Sequence, residues 1–197
     1  MFDYVRAVGE RLSLTVQGDH SGRLAVMSNE DTPKYRYALT RDIWYRQTSG
    51  TPRPSAGPIV WIMLNPSTAN ATINDPTIRK CSQFAALAGA SGIIVLNLYA
   101  WRSVIPSILS EVEDPVGPLN DAVIREVLHE TPRDSTWIVA WGALTPRTNP
   151  CDRTDAVLDM MREAGRVPCR LGALTHGGDP RHPGRIAYTT PIVEYES

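Results

Sequence analysis

Apolar and polar positions change rhythm at Ile59. From there on, short continuous apolar runs alternate with segments of helical period. IVWIML (59–64), GIIVLNL (92–98), TWIVAWG (136–142) and VPCRLG (167–172) read as buried strands of a parallel sheet, which need apolar side chains on both faces. Three helices are predicted between them: DPTIRKCSQFAALAG (75–89), PLNDAVIREVLHE (118–130) and CDRTDAVLDMMREAG (151–165). The first has Asp75 as cap, Pro76 in the opening turn and Gly89 as stop, with Ile78, Cys81, Phe84, Ala85 and Ala88 on one face. In the third, Val157, Leu158, Met161 and Ala164 are expected to face the sheet. Strands and helices in this order predict an α/β fold, a three-layer α/β/α sandwich with a four-stranded parallel sheet and right-handed crossovers.

Before Ile59 the pattern differs. Residues 1–46 read as a small antiparallel N-terminal element, with strands over 12–16 (LSLTV), 23–28 (RLAVMS) and 35–44 (YRYALTRDIW). Residues 47–58, with three prolines and two glycines, read as a loop. The tail from Thr175 reads as loop with a short final strand around Ile186 to Tyr188. Length favours one domain over residues 1–197, its α/β core spanning 59–197.

Composition narrows the class. With 42% hydrophobic and 21% charged residues the chain is ordinary globular protein, and no apolar run reaches the roughly 18 residues of a membrane span. Three scattered cysteines fit reduced thiols better than a disulfide framework or a zinc site, and the N-terminus has no secretory pattern; a cytoplasmic protein without metal or cofactor is expected. A net charge of −1 argues against wrapping duplex DNA by charge alone, so nucleic-acid contact would need a local patch. The chain lacks GxGxxG, GxxxxGK[ST] and GxSxG, which disfavours Rossmann dehydrogenases, P-loop NTPases and α/β-hydrolases.

The first strand stops at Asn65 and Pro66, in MLNPSTA, and eight residues, Ser67 to Asn74, small or polar but for Ile73, follow before the helix at Asp75. In an open α/β sheet the ligand sits beyond the carboxyl ends of the strands. That rim gathers Asn65, Pro66, Ser67 and Thr68 after the first strand, Asn97, Tyr99 and Arg102 after the second, Trp141 and Gly142 after the third, and Thr175 to His182, with Arg181, after the fourth. Asn65, Asn97, Arg102 and His182 are expected around one pocket. An asparagine amide offers donor and acceptor together, and a histidine with a reference pKa of about 6.5 suits protonation chemistry near neutrality. Tyr99 either packs or stacks on a base. Arg102, Arg181 and Arg185 either lie on solvated loops or form an anion site. Asp75 reads as a helix cap or as an acid or base. Asp114, Asn120 and Asp121 read as turn and cap structure.

The ordered set MLNPSTA, DPTIRKC, VLNLYAWR, EDPVGPLND, VAWG and GDPRHP resembles the bacterial and phage family catalogued as domain of unknown function 1643, from about Tyr35 to the C-terminus. The order of motifs is also similar to the uracil-DNA glycosylase superfamily. That resemblance implies a water-positioning role for Asn65, base reading by Asn97, and support of the departing base by His182-Pro183. The expectation is a nucleobase- or nucleoside-binding enzyme that hydrolyses or exchanges an N-glycosidic bond, with Asn65, Asp75 and His182 catalytic. Pro66, Ser67, Thr68, Asn97, Tyr99, Arg102, Trp141 and Arg181 would bind substrate. The alternative is a module that holds a nucleotide or modified base without chemistry. Salt-sensitive DNA contact fits either reading, and the oligomeric state is left open.

Overall fold

The structure, a computed structural model, describes residues 2–43 and 55–196. A helix α1 (Asp3–Arg11) leads into three strands, β1 (Thr15–Gly18), β2 (Leu24–Met27) and β3 (Arg36–Asp42). Then come β4 (Ile59–Met63), α2 (Pro76–Leu87), β5 (Gly92–Asn97), α3 (Asn120–Glu130), β6 (Thr136–Val139), α4 (Arg153–Glu163), β7 (Pro168–Leu171) and β8 (Ile192–Glu194). Short 3-10 turns at Pro106–Ser110 and Pro183–Arg185 interrupt the two long loops.

All eight strands join one sheet in the order β1-β2-β3-β5-β4-β6-β7-β8. This corrects the expected four-stranded parallel sheet. The four strands of the β–α alternation do pair in parallel, but they form the middle of a mixed sheet, with antiparallel pairing at β1-β2, β2-β3, β3-β5 and β7-β8. The N-terminal strands are therefore not a separate element: Leu39 to Asp42 pair directly with Val95 to Gly92. Three further expectations are corrected. Residues 3–11 form a helix, because Val5 and Val8 recur one turn apart and pack with Phe2 into the same core as α3. The first strand begins only at Thr15. The last strand is Ile192–Glu194 rather than around Ile186, which closes the turn after Pro183 and packs under α2. Most of the predicted 47–58 loop lies outside the described residues.

The middle of the sheet is buried on both faces because β4 is apolar throughout and β5 and β6 are apolar apart from Asn97 and Thr136 at their ends. Val60, Ile62, Ile94 and Leu96 meet α1, α3 and α4 through Val5, Val8, Val123, Ile124, Val127, Val157, Leu158 and Met161. Ile59, Trp61, Met63, Ile93 and Val95 point the other way, onto Ile78, Cys81, Phe84 and Ala85 of α2. Burying each such side chain is worth about 1.5–3 kcal/mol before entropy is charged against it. α2 starts where Asp75 accepts the Ile78 N–H at 2.8 Å, with Pro76 in the first turn. It ends at Gly89, whose φ of +68° is a left-handed conformation that glycine adopts without strain. No helix among the described residues is long and apolar enough to cross a membrane.

Candidate functional site

The parallel register sets the site. Met63 at the end of β4 lies opposite Asn97 at the end of β5, and β6 runs alongside β4, so three carboxyl ends open on one edge. A cavity of about 380 Å3 lies there, within the usual size of small-molecule sites. Asn65 and Ser67 line it from the loop after β4, Asp75 and Thr77 from the start of α2, and Asn97 from β5. Trp141 and Gly142 follow β6, His182 comes from the late loop and Arg36 from β3, while Met63, Val95, Ile78 and Val104 supply apolar wall.

The polar loop after β4 holds its shape through arginines. Every carbonyl from Ala69 to Asn74 accepts from a guanidinium. Arg36 takes Ala69 (2.8 Å), Arg23 takes Ala71 (3.3 Å) and Thr72 (2.6 Å), and Arg79 takes Asn74 (2.8 Å). Arg41 takes Asn70 and Ile73 and also reaches the Asn74 side chain at 2.6 Å. The Asn70 carboxamide closes the turn from within, accepting the N–H groups of Thr72 and Ile73. A loop with no ladder partners thus has its backbone acceptors satisfied, and Asp75 is delivered in a fixed place.

Asn65 is held by its amide nitrogen, which donates to the carbonyls of Ser103 (3.0 Å) and Pro66 (3.1 Å). Its Oδ1 takes no hydrogen bond from the described residues, and neither does the second carboxylate oxygen of Asp75. Asn97 is buried; its backbone carbonyl and that of Leu98 accept from the Asn120 side chain at 3.1 and 3.0 Å, which fixes the end of β5. The Asn97 side-chain nitrogen and the Trp141 indole nitrogen are buried with no protein partner.

His182 reaches the cavity because the late loop is tied to the end of β6: Gly142 N–H donates to Pro180 O at 2.9 Å and Leu144 N–H to the Asp179 carboxylate at 3.0 Å. Gly142 has φ +80°, strained for other residues, and a Cβ there would stand a tight 3.2 Å from the His182 Cβ, so glycine favours the close meeting of the two segments. The His182 Nδ1 accepts the Gly184 N–H at 3.1 Å, which assigns the ring proton to Nε2. The ring keeps an exposed edge, yet the protein around it disfavours imidazolium and pushes its pKa below the ordinary value; the Asp75 carboxylate opposes this. The neutral Nε2–H tautomer is therefore the resting form at pH 7. The folded pKa is depressed, so this group's contribution to stability is present above about pH 6.5 and is lost as pH falls towards the folded value. Nitrogen-detected NMR should show the Nε2–H tautomer titrating with a midpoint under 6.5; a midpoint at or above 6.5 contradicts the assignment.

Other expected site residues lie elsewhere. Tyr99 is fully buried, its hydroxyl donating to Asn149 Oδ1 at 2.7 Å, and burial pushes its pKa up to about 12. Pro66 sits behind the rim, its carbonyl accepting from Ser103 N–H at 2.8 Å. Arg102 donates to Pro33 O at 3.1 Å and lines a neighbouring groove with Thr68, Trp101 and Lys34; Ser67 lines both spaces. Arg181 and Arg185 are exposed and line neither, which fits the solvated-loop alternative for them. Asp114 and Asp121 are structural, accepting from Gly117 N–H and pairing with Arg153. Among the described residues no group of three His, Cys, Asp or Glu side chains gathers to hold a metal. Sequence reasoning missed Arg36. Its signal was an arginine inside a strand otherwise built to be buried.

A family model described as "Protein of unknown function (DUF1643)" matches residues 36–184. The chain belongs to this family. In this DUF1643 protein the matched span contains every residue that lines the cavity, from Arg36 to His182. No curated protein matches the chain, and no solved structure does.

Proposed function

We propose that this DUF1643 protein binds a nucleobase or nucleoside in the cavity and hydrolyses its N-glycosidic bond, with the parallel middle of the sheet playing the part it has in uracil-DNA glycosylases. The observation that carries the reading is the meeting of Asn65, Asp75, Asn97 and His182 around one cavity, although they are spread from residue 65 to 182. The unclaimed oxygens of Asn65 and Asp75 suit a water, accepting its O–H groups so that a lone pair faces the anomeric carbon, and the Asp75 carboxylate receives its proton. As the C–N bond breaks, its electron pair moves onto the base, and a negative charge grows there while the sugar becomes cationic. The Asp75 carboxylate opposes the sugar's charge. The neutral His182 Nε2–H donates to the base anion, and the Asn97 amide faces its hydrogen-bonding edge. The base anion then takes up a proton and Asp75 gives up the one it received, directly or through solvent, so the products are the free base and the sugar hydroxyl.

Chromatography for free base tests this over nucleosides and single- and double-stranded oligonucleotides, with calorimetry in parallel. Release from at least one substrate is expected. Binding without release moves the assignment to a non-catalytic module, and no binding by any member overturns both. With a net charge of −1, duplex binding is expected to be weak and to fall with salt in gel-shift titration. Nanomolar binding that ignores salt contradicts this.

A further inference from the structure

Arg36 is 2% exposed, on a strand whose neighbouring positions are buried, and it lines the cavity. One of its five N–H donors is spent on Ala69 O. Among the described residues its Nε is buried with no acceptor, its Nη2 makes no hydrogen bond, and no carboxylate pairs with it. Asp75 acts on it only through the field, while Arg102 adds a second positive charge. Burial pushes its pKa down to about 10, so it remains charged at neutral pH. The other buried arginines are employed: Arg41 grips the loop through several acceptors and Arg153 pairs with Asp121. A buried charge without a partner is costly, and a fold keeps one where something else completes it. Beside Arg36 the cavity also has Asn97, 1% exposed, with its side-chain nitrogen unpartnered.

We propose that the cavity takes a ligand with an anionic oxyacid group, phosphate or carboxylate, seated on the Arg36 guanidinium, with an acceptor atom on the Asn97 amide. A planar guanidinium matches such a group through two parallel hydrogen bonds. Resting on the reading above, this makes the substrate a nucleotide rather than an uncharged nucleoside; the anion seat itself stands on Arg36 and Asn97 alone.

Calorimetry with matched pairs, each nucleoside and its 5′-monophosphate, tests the proposal. Wild type should bind the monophosphate about 10- to 150-fold more tightly, the usual worth of a hydrogen bond to a charged group. The gap should close in Arg36→Gln and survive in part in Arg36→Lys. Equal binding of both members of every pair by wild type overturns it. Should Arg36→Gln fail to fold, thermal melting of wild type decides, with inorganic phosphate or acetate replacing chloride at constant ionic strength. A rise in Tm supports the seat, the stronger anion naming phosphate or carboxylate, and no rise with either overturns it. Anion-dependent stabilisation without binding of any nucleoside or nucleotide keeps the seat and removes the nucleobase reading. Base release from uncharged nucleosides, unchanged by Arg36→Gln, does the reverse.

Discussion

Replacing His182 with asparagine is expected to slow base release by about 100- to 1,000-fold while leaving affinity for the intact ligand nearly unchanged. The reason is the hydrogen-bond state of the ring. Gly184 N–H occupies Nδ1, so the one donor the imidazole offers is Nε2–H, and the neutral form carries it at pH 7. A donor of this kind matters little to a neutral bound base and much to the anion that forms as the bond breaks. Its loss lowers kcat and kcat/KM together and leaves the binding constant alone. Single-turnover rates and calorimetry on both proteins make the comparison. Equal base release by wild type and variant would sink the role. A rate that is flat from pH 7 to 9 is the companion expectation, because no imidazolium is consumed; decline through pH 7 would mean that the charged ring is the active form.

Asn120→Asp is expected to be among the most damaging single-atom changes in the molecule, costing about 2–5 kcal/mol in chemical denaturation. Asn120 is fully buried, and its side-chain nitrogen donates to Asn97 O and Leu98 O. The aspartate has the same shape but no donor there. Two buried carbonyls lose their partner, each at about 1–3 kcal/mol, and an oxygen now faces them. Because those carbonyls end β5, the change also loosens Asn97, so ligand affinity should fall with stability. A loss under about 1 kcal/mol would show that neither carbonyl depended on Asn120.

The central strands and the three helices between them were legible because each has one dominant cause: full burial for the strands, and a cap plus a 3.6-residue stripe for the helices. Asn65, Asn97 and His182 line one cavity, as parallel order implied, whereas Arg102, expected with them, lines the neighbouring groove, and Asp75 joins the cavity from the start of α2. What failed depended on packing across long separations. DYVRAVGER is a modest helix former, with two β-branched valines and a mid-helix glycine, and it is held by the core it shares with α3. The three-residue β8 exists because β7 offers it an edge. Tyr99, at a strand end, was equally suited to the rim or the core, and the hydroxyl partner that took it inward, Asn149, is fifty residues away. Arg36 and Arg41 drew no reading of their own within the predicted 35–44 strand. Both are buried because the loop after β4 carries carbonyls for them, which only the folded chain brings within reach.

That loop also fixes how little of the chain can stand alone. The β–α alternation begins at Ile59, and a protein begun there would keep all four parallel strands and α2, α3 and α4. It would also discard Arg23, Arg36 and Arg41, leaving Ala69 to Ile73 with carbonyls that no other arginine among the described residues reaches and α2 without the anchor that delivers Asp75. The N-terminal strands are thus no detachable appendage. Any attempt to graft the cavity onto another parallel sheet must carry β2 and β3 with it.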